Sequence, residues 1–168
     1  MGFVLLLGGA RSGKSESAAR LAVESGRGVT LIATATAGDD EMTERISRHR
    51  SARPSGWSTV EAPLDLLAAV AAAPPDHFVL VDCLTLWVSN LLGAGMSAAE
   101  VLTRAEKAAA ELARRPGVVV SNEVGLGIVP ANELARTFRD VLGGVNAAFA
   151  RCAERSVLMV AGRSLELT

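Results

Sequence analysis

Tyrosine is absent, and aromatic residues of all kinds make up only 4% of the 168-residue chain. This scarcity argues against the row of stacking rings on which single-stranded nucleic acid is held. An excess of either charge is also lacking. Seventeen Lys and Arg face eighteen Asp and Glu, a formal net charge of -1, so no strong one-sign field points to DNA, RNA or an acidic membrane surface. Cysteine is limited to Cys83 and Cys152. They lie far apart, form no metal-ligand pair, and read as dispensable structural thiols of a reducing cytoplasm. No long apolar run occurs near the start. Phe3 to Leu7 is too short for a signal-peptide core or a membrane span, and no basic segment precedes it. Internal repeats are not evident, and the alanine-rich stretch from Ala68 to Ala73 reads as helix.

What is present is small and apolar. Hydrophobic residues form 49% of the chain, with alanine and glycine abundant, which suits close helix–sheet packing. The length fits one domain, residues 1–168, with a sizeable core. Directly after the Phe3–Leu7 run stand Gly8, Gly9, Ala10, Arg11, Ser12, Gly13, Lys14 and Ser15. This is G-x-x-x-x-G-K-S, the phosphate-binding P-loop, between a predicted strand and a predicted helix. Glycines permit backbone conformations that a Cβ would block, so successive N–H groups can turn toward phosphate oxygens. Lys14 brings a positive charge to the outer phosphates, the Ser15 hydroxyl is placed to ligate Mg²⁺, and the helix start favours the anion.

The pattern predicts alternating strands and helices. Phe3–Leu7, Val29–Ala33, Phe78–Val81, Val118–Val120 and Val157–Ala161 are apolar without alternation, as in a parallel sheet covered on both faces. Helices are expected from Lys14 to Ser25, Asp39 to Ala52, from Pro63 through Leu64, Leu67, Ala68 and Ala71, Leu84 to Leu92, Ser97 to Arg115, and Asn132 to Arg155. Trp57 to Val60 is a short extended piece. Ser97 and Glu100 form a capping box. In the last helix Leu134, Phe138, Val141, Leu142, Val145 and Phe149 form a core stripe, and the Gly143–Gly144 pair is a candidate bend. The fold class is therefore α/β, with a mainly parallel sheet and helices on both faces.

Chemistry-bearing side chains gather at the predicted carboxyl ends of strands, where open α/β sheets bind ligands. Asp82 follows Val81 and can contact Mg²⁺ opposite Ser15, or cap the next helix, or both. His49 shares a helix face with Met42 and Ile46, which alone favours a satisfied core histidine. Its neighbours Arg45, Arg48, Arg50 and Arg53 point the other way: such a rim can steady phosphates around an imidazole acting as base or nucleophile. The bland alternative for the arginines is a solvated helix face. Asn122 and Glu123 stand just past a strand, in a shaped loop that fits contact with nucleotide, acceptor substrate or another subunit; Arg136 and Arg139 stand near the next helix start and fit the same mouth or a plain surface role.

These stretches resemble the adenosylcobinamide kinase/adenosylcobinamide-phosphate guanylyltransferase family. The similar segments are GGARSGKS at Gly8–Ser15, IATA at Ile32–Ala35, DDEMTERISRHRSARPSGW at Asp39–Trp57, and NEVGLGIVPANELARTFRDVLGGVN at Asn122–Asn146, so nearly the whole chain is covered. The resemblance implies a bifunctional enzyme. It phosphorylates the aminopropanol hydroxyl of adenosylcobinamide with ATP or GTP, then transfers GMP from GTP to that phosphate through a histidine–GMP phosphoramidate. His49 matches the nucleophile within R-I-x-x-H-x-x-x-R-P. Lys14 is implied as the second catalytic residue, and Arg53 and Glu61 as nucleotide contacts beside the P-loop. Ser15 and Asp82 are implied for Mg²⁺. A RecA-like three-layer fold and a homo-oligomer, such as a trimer, are implied as well. Three rival readings are a small-molecule P-loop kinase without nucleotidyl transfer, a nucleotide-dependent switch, and a family member with one activity. The base-reading N/T-K-x-D motif of regulatory GTPases is not evident, which weakens the switch.

Overall fold

The computed structural model describes residues 2–36, 44 and 54–167. Within these, seven strands form one sheet: β1 (Phe3–Gly8), β2 (Val29–Ala33), β3 (Ser58–Glu61), β4 (Phe78–Asp82), β5 (Gly117–Asn122), β6 (Arg155–Val160) and β7 (Arg163–Leu167). Their spatial order is β3-β2-β4-β5-β1-β6-β7. Every neighbouring pair is parallel except β6 and β7. Five helices are described: α1 (Lys14–Glu24), α2 (Leu66–Ala72), α3 (Leu84–Gly93), α4 (Ala98–Leu112) and α5 (Glu133–Cys152).

The central strands are apolar on both faces because each face has its own core. On one side Ala18 and Ala22 of α1, one turn apart, pack with Leu6, Leu31, Leu80, Val118 and Val120. On the other side α2 to α5 pack with Leu5, Ile32, Val79, Val81 and Val119. Trp87, Phe3 and Phe149 are the largest buried side chains of that second core. The rings of Phe3 and Phe149 meet edge-on with centroids 6.0 Å apart. Small residues set the spacing. A Cβ on Gly117 would lie 2.6 Å from the carbonyl oxygen of Val79, and one on Gly144 would lie 2.8 Å from Leu102 of α4. Gly144 therefore serves a close helix contact, whereas a Cβ on Gly143 would meet nothing, and the helix runs through the pair unbroken.

Several expectations are met closely. The Ser97–Glu100 capping box opens α4, with Ser97 Oγ accepting from the Glu100 N–H and Glu100 Oε2 accepting from the Ser97 N–H. Others shift. The helix expected from Pro63 begins at Leu66, because Asp65 caps it by accepting from the Ala68 N–H at 3.2 Å. The carbonyls of Pro63 and Leu64 are used instead to receive Asn90 Nδ2 and Trp87 Nε1. Helix α4 stops at Leu112 and α5 at Cys152, short of Arg115 and Arg155. Leu134 is 73% exposed and is not part of the core stripe, since the first fully packed residue of α5 is Val141. Strand β7 was not anticipated. It returns antiparallel beside β6 through Ala161 and Gly162, both at positive φ (51° and 75°), the twist that two-residue hairpins favour. The helix expected over Asp39–Ala52 lies outside the described residues, apart from Glu44. Among the described residues, no helix is long and apolar enough to cross a membrane.

Candidate active site

The G-x-x-x-x-G-K-S motif forms a loop joining β1 to α1. Gly8 could not be another residue without movement, since its Cβ would sit 2.3 Å from the carbonyl oxygen of Met159. Gly13 is the N-cap of α1 with φ 95°, a left-handed conformation that glycine adopts without strain. Lys14 begins the helix, yet its side chain folds back under the loop and is only 6% exposed. Its Nζ donates to the carbonyls of Gly8 (2.8 Å) and Gly9 (2.6 Å) and to Ser12 Oγ (3.2 Å). Charge-assisted bonds of this kind hold the loop in shape and keep the ammonium beneath it. Gly9, Ala10, Arg11 and Ser15 remain exposed on the outside. The hairpin turn after β6 braces the loop from below, the Gly162 N–H donating to the Ser12 carbonyl at 3.0 Å.

Because β1 to β6 run parallel, their carboxyl ends share one edge. Gly8 stands beside Asn122 of β5 and Met159 of β6. Asp82, half-buried at the end of β4, is registered against Ala33 and Val120. It lies two strands from β1, about 10 Å by ordinary strand spacing. Thr34 fixes the chain beside it. Its N–H donates to the Asp82 carbonyl, its Oγ1 donates to the Cys83 carbonyl at 2.7 Å, and the same oxygen accepts from the Cys83 N–H at 2.9 Å. Asn90 of α3 donates to the Thr34 carbonyl. Burial first, and then the charge of Asp82, pushes the Cys83 thiol above its ordinary value of 9.0. Glu61 ends β3 at the same edge, next to Ala33.

A second network anchors the far side of the loop. Asn146 of α5 is 6% exposed, although it lies among the apolar side chains of that helix. Its Oδ1 accepts from Ser121 Oγ at 2.6 Å, and its Nδ2 donates to the Asn122 carbonyl at 3.0 Å. Thr85 Oγ1 receives the Asn122 N–H at 2.8 Å. Glu123 then closes onto the phosphate loop, its N–H donating to the Gly8 carbonyl at 3.2 Å. Its Oε1 accepts from the Gly125 N–H.

The predicted site residues thus divide. Gly8, Gly9, Ala10, Arg11, Ser12, Gly13, Lys14 and Ser15 form one loop. Asp82 and Glu61 share its sheet edge at increasing distance. His49 and Arg53, with Arg45, Arg48 and Arg50, lie outside the described residues. Arg136 ties down its own loop by donating to the carbonyls of Pro130 and Ala131, and Arg139 pairs with Asp140. Thr34, Thr85, Asn90, Ser121 and Asn146 were missed. Asn146 carried a readable signal, as a polar residue one turn after Leu142 on the buried stripe.

The chain matches the family model described as cobinamide kinase / cobinamide phosphate guanyltransferase over residues 4–167. It is 48% identical to the bifunctional adenosylcobalamin biosynthesis protein CobP of Pseudomonas aeruginosa, covering 97% of this chain and 95% of that one. It is 40% identical to the bifunctional adenosylcobalamin biosynthesis protein CobU of Salmonella typhimurium, covering 98% of each. Among solved structures, the flagellar accessory protein FlaH of Methanocaldococcus jannaschii aligns with TM-score 0.53 at 12% identity, over 99% of this chain and 78% of that one. The RadB recombinase aligns with TM-score 0.51 at 14% identity, over 94% and 73%. These two likenesses concern the fold alone.

Proposed function

Since the chain belongs to the cobinamide kinase / cobinamide phosphate guanyltransferase family, we infer that it is a bifunctional transferase of cobalamin biosynthesis. It phosphorylates adenosylcobinamide with ATP or GTP and then transfers GMP from GTP to the product, giving adenosylcobinamide-GDP and pyrophosphate. The observation that carries this reading is the Lys14-braced phosphate loop in a chain matched over residues 4–167.

The residues divide the work. Loop N–H groups and Lys14 hold nucleotide phosphates in both reactions, so catalysis rests on positioning and charge stabilisation. In our reading His49 attacks the α-phosphorus of GTP, with Arg53 and the neighbouring arginines steadying charge, and Glu61 contacts the nucleotide farther along the edge. What supports the role of His49 is its place in the arginine block at Arg45–Pro54. Ser15 and Asp82 would hold Mg²⁺. One hydroxyl and one carboxylate suit a hard cation that keeps most of its coordination for water and phosphate oxygens. Bound there, the ion would neutralise phosphate charge.

We take the fold to be the RecA-like branch of P-loop proteins, with the whole chain as one catalytic domain. The support is strand β5 standing between β1 and the strand that carries Asp82. Assembly into a homo-oligomer, such as a trimer, is part of the same reading. The apolar side chains exposed just before and at the start of α5, Val129 and Leu134, support it.

The test supplies purified protein with adenosylcobinamide, Mg²⁺ and either ATP or GTP, and follows corrinoid products by mass spectrometry. Sequential appearance of the phosphate and the GDP adduct is expected. A phosphate that never proceeds to the adduct with excess GTP would reduce the protein to a kinase.

A further inference from the structure

We propose that Glu123 takes the hydroxyl proton in the phosphorylation step. The proposal rests on the bifunctional reading, because the two reactions make different demands on one nucleotide site. Phosphorylation starts from an alcohol whose proton must leave as its oxygen attacks. Guanylyl transfer starts from a phosphate, whose second pKa near 6 leaves it largely ionised at neutral pH. One reaction needs a proton acceptor and the other does not.

The described carboxylates near the phosphate loop are few. Glu61 ends β3, four strands from β1, about 19 Å away by strand spacing. Asp82 is two strands away and is the proposed metal residue. Glu16 is in the first turn of α1, but it lines the groove between α1 and the β6–β7 hairpin, with Val4, Arg155 and Met159. Glu123 follows Asn122, which is registered directly against Gly8, and its own N–H is bonded to the Gly8 carbonyl. It therefore stands one strand spacing, about 5 Å, from the start of the loop.

Its surroundings fit the task. Asn146 and Thr85 fix the backbone immediately before it, and the Gly125 N–H orients its carboxylate. The chain beyond it exposes Leu126 (84%) and Ile128 (97%). Glu123 thus stands in the chain between the phosphate loop and exposed apolar side chains, where a large organic acceptor would present its hydroxyl. In the step, the Glu123 carboxylate accepts the O–H proton while the oxygen bonds to the γ-phosphorus. The bond from that phosphorus to the β,γ-bridging oxygen breaks, and the nucleoside diphosphate leaves with its electron pair. Glu123 then returns the proton to water.

The experiment assays Glu123→Gln, Glu123→Asp and wild type separately for phosphorylation of adenosylcobinamide with ATP and for guanylylation of adenosylcobinamide phosphate with GTP. Gln preserves the bond from Gly125, so the loop should hold. For Glu123→Gln we expect phosphorylation kcat to fall about 10²–10⁴-fold. The KM for ATP and the guanylylation rate should change less than about threefold. Glu123→Asp should recover part of the lost kcat. Equal loss of both activities would make Glu123 a brace of the loop and overturn the proposal, as would undiminished phosphorylation. Absence of guanylylation in wild type would instead strike the bifunctional reading, so the two failures are separable.

Discussion

Replacing Asn146 by alanine should cost far more than its size suggests. The side chain is the acceptor for the Ser121 hydroxyl and the donor to the Asn122 carbonyl. Ser121 is fully buried, and Asn146 is 6% exposed. A buried polar group left without its partner costs about 1–3 kcal/mol. Asn122 is only half-buried, so its share falls at the low end. The expected total for Asn146→Ala is about 2–4 kcal/mol, or about 3 °C of Tm per kcal/mol for a chain of this length. Ser121→Ala alone should cost about 1–2 kcal/mol, since it orphans only one oxygen. The double variant should cost about 1 kcal/mol less than the sum, because each single change already removes their shared bond. Urea unfolding, at one protein concentration and without nucleotide, gives all three values. Strict additivity, or a loss below about 0.5 kcal/mol for Asn146→Ala, would refute the reasoning.

Lys14→Ala should impair both activities by at least about 10²-fold, since both use the same phosphate loop and one well-placed charge contributes that much; steady-state assays with each acceptor check it, and full activity in either would contradict a shared site. The Cys83 thiol, held neutral by burial and by Asp82, should alkylate with iodoacetamide at pH 8 more slowly than glutathione, as read by peptide mass spectrometry. The raised value has a stability consequence of definite sign. The contribution of the half-buried neutral thiol is fully present below pH 9.0 and is lost as pH rises through the higher folded value.

How much was legible in advance varied with the physics behind each element. Apolar runs marked β1, β2, β4 and β5, flanked by glycine in β1, β2 and β5 and by Pro74–Pro75 and Asp82 in β4, because a strand covered on both faces is mostly apolar. The capping box marked the start of α4, because two reciprocal bonds require those residue types at that spacing. Strand β7 escaped because all five of its residues are exposed and none is needed by either core. Leu134 misled because helical periodicity says which face is apolar and does not say where the helix outruns the sheet. The site shows the same split. A phosphate loop is a local motif and can be read from eight consecutive residues. The Ser121–Asn146 and Thr34–Cys83 links join residues 25 and 49 positions apart, so only strand order and helix packing bring them together.

The central claim is that one phosphate loop serves phosphorylation and also a guanylyl transfer that passes through His49. The most direct test incubates wild type and His49→Ala with α-³²P-GTP and Mg²⁺, then treats the denatured proteins with acid and with base. The account predicts an acid-labile, base-stable label on wild type alone, discharged by adenosylcobinamide phosphate, with much of the phosphorylation activity kept in the variant. A wild-type protein that binds GTP and takes up no label, or a label that survives in His49→Ala, would contradict it.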